Sequence, residues 1–265
     1  MPKHGTASIS GAFIEFECAV LRNLPRDLDP EVMDNHTNNG EALSRILREA
    51  LCPKSVEVER SEKSKADENK NLFENVDPIF RPSAELYFAL FGKVPDFSGL
   101  TVPRMLENEN EYLVIVVDKE LCASKQALFQ ARKKLFPTWK YTNENLDTAI
   151  PAKDDQRKVA SGSYVFIIRD SETPDSDLMN LSANQIAEMK LQVTTDTEYA
   201  LFSAMFYWKH EHHPDRSTWT INAGSRDRDG DVPRGDWNGN KSRVRWCGVA
   251  DHYPYLGSRR VIRTP

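Results

Sequence analysis

Residues 112–117 read Tyr-Leu-Val-Ile-Val-Val, and residues 164–168 read Tyr-Val-Phe-Ile-Ile. Short runs of β-branched and aromatic residues, with no polar residue in alternation, are the pattern of strands covered on both faces. Between them, Ser124 stands where a helix N-cap belongs, and Leu128, Ala131, Leu135 and Phe136 follow on one side of a helix. Trp139-Lys-Tyr141 adds a short strand. Strand, helix, strand in this order predicts a right-handed crossover unit.

Working towards the N-terminus, Ser83 to Phe91 reads as a short helix and residues 92–103 as irregular chain. Residues 57–70 carry nine charges of both signs in fourteen positions, which predicts a solvated loop or linker over 54–71. Leu43, Ile46, Leu47, Ala50 and Leu51 fill one face of a helix over 40–51, which Pro53 stops. Ala12, Ile14, Phe16, Cys18 and Val20 alternate as in a half-buried strand over 12–21. Residues 1–9 read as a disordered leader.

Working towards the C-terminus, two capping boxes appear, Ser182 with Gln185 and Thr195 with Glu198. The second opens a helix that is apolar nearly all round from Tyr199 to Trp208, the pattern of a central core element. Residues 218–222 and 243–247 read as further strands. Together these elements predict one α+β domain over 1–265: a central mixed sheet with helices packed on it and antiparallel strands at the C-terminal end.

Composition narrows the functional classes. The chain has 265 residues, 39% hydrophobic and 28% charged, with net charge -5. Nothing in that bulk balance calls for a nucleic acid or a membrane surface. The charge is unevenly placed, however. Residues 216–265 hold ten Lys or Arg, nine of them Arg, against five Asp and no Glu, which leaves a net -10 on the rest. Arg in place of Lys suits planar contacts to carboxylates or phosphates and stacking on aromatic rings. The four cysteines, Cys18, Cys52, Cys122 and Cys247, are scattered without a CxxC or CxxH pair. Glu15 and Glu17 interrupt the first apolar run, and no stretch approaches the apolar length of a membrane span. Cytoplasmic residence follows as the expectation.

The densest stretch is Ser217–Cys247, with Gly224-Ser-Arg226, an Asp ladder and three tryptophans. Asp227, Asp229 and Asp231 match the first three ligand positions of a calcium loop. Val232 and Asn238 fall where an EF-hand needs Gly and Glu, so only a looser calcium or magnesium site remains as a metal reading. Otherwise no cofactor is expected. The plainer reading is a turn in which Asp tolerates tight geometry and pairs with Arg226 and Arg228. Pro233 and Gly235 are expected to break any strand or helix that continues from it. His210 and His213 share a helix face as a metal pair would, but their place at a helix C-terminus before Pro214 accounts for them equally well. No G-x-S-x-G, HExxH, P-loop or G-x-G-x-x-G occurs.

Trp219 and Trp246, inside strands, read as core. Trp237, between Gly235-Asp236 and Asn238-Gly239, reads as an exposed anchor. The working surface is therefore expected around Arg226, Arg228, Trp237 and Arg243, taking a protein partner or an anionic ligand. Two alternatives stand beside it. One is a metal-dependent, hydrolase-like enzyme using Asp227, Asp229 and Asp231 with His from 210–213. The other is nucleic-acid binding through the Arg-rich part, which the intermixed Asp disfavours. The oligomeric state is left open.

Asn23-Leu-Pro-Arg26, Leu47-Arg-Glu-Ala-Leu51, Trp139-Lys-Tyr-Thr142, Arg169-Asp170, Asn180-Leu-Ser-Ala-Asn184, Gly224-Ser-Arg226, Asp229-Gly230 and Val232-Pro233, in that order, resemble a family of uncharacterised bacterial proteins. The blocks span most of the chain; 54–71 and the Arg-rich tail match least. The resemblance implies a bacterial cytosolic protein and one co-linear unit. The family has no established activity, so no catalytic residue is carried over.

Overall fold

A computed structural model describes residues 73–103 and 111–263. The leader, the strand expected over 12–21, the helix over 40–51 and the charged segment 54–71 lie outside the described residues. The fold is α+β, as expected, with its strands divided between two sheets.

Helix α1 (Arg81–Phe91) carries Pro in its first turn and ends on Gly92, whose positive φ closes the C-cap. Strands β1 (Tyr112–Val117), β3 (Tyr164–Arg169) and β8 (Val261–Arg263) form a three-stranded sheet in the order β1-β3-β8. Both faces are covered. Leu113, Ile115, Phe166 and Ile168 join the main core, while Val116 and Val165 meet Phe80 on the other side. The unbroken apolar runs are explained by that double cover.

The crossover expectation is corrected. β1 and β3 are antiparallel neighbours, Ile115 opposite Phe166, so no right-handed parallel unit forms. A run buried on both faces carries no alternation and so does not encode strand direction. The connection instead builds α2 (Lys125–Arg132), β2 (Thr138–Lys140) and α3 (Leu146–Ala149), and delivers β2 to the second sheet. The Ser124 side chain accepts the Ala127 N–H, as the N-cap reading requires.

The second sheet runs β2-β6-β5-β4-β7, from β4 (Trp219–Ile221), β5 (Val232–Asn238), β6 (Lys241–Cys247) and β7 (Leu256–Gly257). β4, β5 and β6 are antiparallel; β2 and β7 add in parallel at the two edges. β5 corrects the expectation that Pro233 and Gly235 would end regular structure. Pro233 accepts the Asn222 N–H at its carbonyl, and Asn222 lies past the end of β4, so the missing Pro233 N–H costs no bond between the paired residues of β4 and β5. Gly235 is there because the Tyr199 ring lies against its backbone: an added Cβ would sit 1.8 Å from Tyr199 Cε1.

Both capping boxes are present, on α4 (Ala183–Glu188) and α5 (Asp196–His210). Helix α5 is the central element. Leu201, Phe202, Met205 and Phe206 are buried with the three-stranded sheet, and Tyr199 reaches β5. The all-round apolar character of this helix is therefore required by packing. Helix α4, with Leu178 and Val193, covers Ile221, Val232 and Cys247 at one end of the second sheet. No helix among the described residues is long and apolar enough to cross a membrane.

Candidate functional site

Strand alternation sorts the second sheet into two faces. Gly235 faces α5, and Ser242 faces Arg132 of α2. Arg234, Asp236, Arg243 and Arg245 therefore point the other way, beyond the end that α4 covers. Arg243 is directly opposite Asp236, and Arg234 is directly opposite Arg245. Trp139 of β2 is in register with Arg243, and Tyr141 follows on the same face.

The charges on this outer face do not balance. Both Nε and Nη2 of Arg243 bond the same oxygen of Asp236. That leaves Arg234 and Arg245 without an ion pair among the described residues. Arg234 is 4% exposed, stacked over Trp219 at 3.5 Å, and its Nε and Nη1 are buried with no hydrogen-bond partner. Burial, and then Arg245 and Arg243, hold its pKa below the usual guanidinium range, partly offset by Cys247 and Asp236. Like charges directly across a ladder destabilise it, as do buried donors left unpaired.

Aromatic rings flank the arginines on both sides. At the β2 edge, Trp139 and Tyr141 are exposed, Tyr141 at 66%, and the Arg245 guanidinium lies 5.8 Å from the Tyr141 ring. At the other edge, Tyr253 and Tyr255 are exposed and stacked on each other, and Tyr255 packs edge-on against Trp219 at 4.5 Å. The β2 edge continues into a cleft of about 230 Å³ lined by Tyr141, Thr142, Glu144, Ala149, Asp227, Arg228, Asp229 and Trp246.

The residues expected from sequence are dispersed. Arg228 is exposed in this cleft, bound to Glu144 at 2.8 Å. Arg226 folds back on the carbonyls of Ala223 and Ser225. Arg243 belongs to the outer face. Trp237, expected as an exposed anchor, is half-buried on the α5 side and stacks on His213 with ring centroids 3.4 Å apart. The alternation that puts Arg243 outward puts Trp237 inward. Trp219 and Trp246 are half-buried at the margins of the core.

The Asp ladder forms a turn. Asp227 Oδ1 accepts the N–H groups of Asp229 and Asp231, and Gly230 supplies the positive φ. Among the described residues, no three His, Cys, Asp or Glu side chains are gathered to hold a metal ion. His210 bonds Asp170 at 2.8 Å, away from that turn.

Ser225 is fully buried: its hydroxyl donates to Asp155 and accepts the Asp196 N–H. Asp155 also binds buried Lys125 at 2.6 Å. The Gly-Ser-Arg motif thus pins the N-terminus of α5, with Gly224 held against the carbonyl of Thr194. A cavity of about 720 Å³ is lined from 93–100, 118–121 and 162–163, with Asp96, Asp118 and Glu120 among its residues. Its Asp96 and Asp118 accept backbone N–H groups.

Comparison with protein-family models, curated proteins and solved structures gave no match.

The environment of His213 has a measurable consequence. Burial first, then Arg132, His212 and Arg216, push its pKa down to about 4. A depressed pKa contributes stability present above the unfolded value near 6.5 and lost as pH falls through about 4. Asp196 acts oppositely: burial raises its pKa to about 6, so its contribution is present below about pH 4 and lost as pH rises through 6. His213→Phe keeps the aromatic stack and removes the first effect. Urea unfolding of this variant at pH 7 and pH 4.5 should show on the order of 2 kcal/mol less acid destabilisation than the parent protein. Identical pH slopes would show that His213 is protonated in the fold.

Proposed function

We propose that this chain is a binding protein whose working surface is the outer face of the five-stranded sheet, and that its ligand is anionic. The observation that supports this is the opposed pair Arg234 and Arg245, with no ion-paired carboxylate for either and two buried N–H groups of Arg234 unpartnered among the described residues. Such an arrangement lowers stability in the free protein, and an anion seated between the two guanidinium groups relieves the repulsion. Directly opposite residues have Cβ atoms about 5 Å apart, close enough for two guanidinium groups to share one phosphate or carboxylate. Arg243, expected from sequence, belongs to this surface; Arg226 and Trp237 do not. A cytoplasmic location in a bacterium is part of the reading, supported by the sequence resemblance and the scattered cysteines, of which Cys122 and Cys247 are free.

Inorganic pyrophosphate is the probe. At ten times its Kd it should stabilise by roughly 1.4 kcal/mol, or about 3–6 °C in melting temperature, relative to sodium chloride of equal ionic strength. Arg245→Ala should abolish that rise while leaving the starting melting temperature unchanged or higher, because the like-charge pair is gone. A rise of the same size in Arg245→Ala places the anion elsewhere.

A further inference from the structure

We infer that the anionic ligand of this face is a single-stranded nucleic acid, its phosphates on Arg234 and Arg245 and its bases on the flanking rings. The inference rests on the anionic-ligand reading and adds the aromatic residues to it. A small anion needs the two arginines and nothing more. The face offers more: exposed Trp139 and Tyr141 at one edge, exposed Tyr253 and Tyr255 at the other, with the cations between them. Four strand spacings separate these edges, about 19 Å, so one extended strand of a few nucleotides crosses from ring to ring over the arginines. Alternation of a cationic track with solvent-facing rings is what an unpaired strand requires, since each nucleotide carries one charge and one flat apolar face. An acidic peptide would satisfy the arginines but leave four exposed rings without a role.

Local charge favours the same occupant. The face sets Arg234, Arg243 and Arg245 around the single carboxylate of Asp236, within a chain of net -5. Of the Asp ladder that argues against nucleic acid in the sequence, Asp227 is turned onto backbone N–H groups, while Asp229 and Asp231 stay exposed, Asp229 beside Arg228 in the cleft at the β2 edge. Among the described residues, Asp236 is the one carboxylate set between the arginines of the face, and Arg243 pairs with it. Duplexes fit poorly, because their bases are already stacked on each other and unavailable to the rings.

The test is fluorescence anisotropy of a labelled twelve-nucleotide oligo(dT), the matching duplex and a labelled oligoglutamate of the same length. The oligo(dT) should bind tightest, with an affinity that falls as salt rises. Arg245→Ala should weaken it and reduce the slope of log K against log salt by about 1. Tyr141→Ala and Tyr255→Ala should each weaken it about 10-fold and leave that slope unchanged, the signature of lost stacking. Oligoglutamate binding as tightly as oligo(dT), or indifference to both Tyr substitutions, overturns the nucleic-acid inference and leaves the anionic-ligand reading standing. If neither polyanion binds and pyrophosphate does not stabilise, both readings fall together.

Discussion

Asp215→Ala should destabilise the fold by about 3–5 kcal/mol, because it strips a buried guanidinium of its counter-charge. The carboxylate of Asp215 is a four-way junction. Oδ2 accepts the Tyr199 and Thr220 hydroxyls, each at 2.9 Å. Oδ1 accepts the Thr218 hydroxyl at 2.9 Å and Arg259 Nη2 at 3.0 Å. Asp215 and Arg259 are each 1% exposed, so water cannot substitute for either partner without the structure opening. Arg259 keeps the carbonyls of Ser171 and Glu172, which satisfy its donors but not its charge. Asp215→Asn, which preserves the shape and removes the charge, should fall between the two. Urea denaturation measures all three; a loss below about 1 kcal/mol for the Ala variant would mean that solvent reaches the junction.

Gly235→Ala should destabilise at the upper end of the overpacking range, about 3 kcal/mol. The added Cβ would stand 1.8 Å from Cε1, 2.4 Å from Cζ and 2.7 Å from Cδ1 of Tyr199. A flexible neighbour would swing aside, but this ring is held at both ends. Its hydroxyl is bonded to Asp215, and its Cα belongs to the first turn of α5, fixed by the Thr195–Glu198 capping box. The clash therefore pushes α5 away from β5. Tyr199→Leu alone should also destabilise, through the lost hydrogen bond and apolar area. The double variant Gly235→Ala with Tyr199→Leu should be more stable than the sum of the single losses implies, by 1 kcal/mol or more. Additive losses would show that the steric conflict is relieved elsewhere.

The elements that sequence reveals here are those whose signal is local. The Ser182 and Thr195 capping boxes, the Ser124 cap and the apolar run of α5 each depend on neighbours within a few residues, and each is found in place. The direction of β1 against β3 depends on the whole course of 118–163 and leaves no trace in either strand. β5 is hidden for a different reason. Pro233 and Gly235 are strand breakers taken singly, and only the end of β4 and the ring of Tyr199 make them fit.

The candidate site was legible in part. Arg243 and the C-terminal arginines stand out by composition, and the spacing of Arg243 and Arg245 at i, i+2 already puts them on one face of a strand. Arg234 could join them only once β5 was known as a strand paired with β6. Trp139 and Tyr141 come from residues a hundred positions earlier, through the parallel edge pairing of β2. Trp237 misleads because a tryptophan between Gly-Asp and Asn-Gly reads as a turn, whereas the hairpin turn begins after it, at Gly239-Asn240.

The most direct measurement on the outer face is a ¹⁵N–¹H spectrum of the arginine Nε–Hε groups during titration with pyrophosphate. The Arg234 and Arg245 resonances should shift together, saturate at one ligand per chain, and exchange their Hε more slowly when the anion is bound. Exposed Arg216 and Arg228, already paired with Glu172 and Glu144, should stay nearly still. Shifts spread evenly over all surface arginines, with Arg234 unmoved, would contradict the assignment of this face as the working surface.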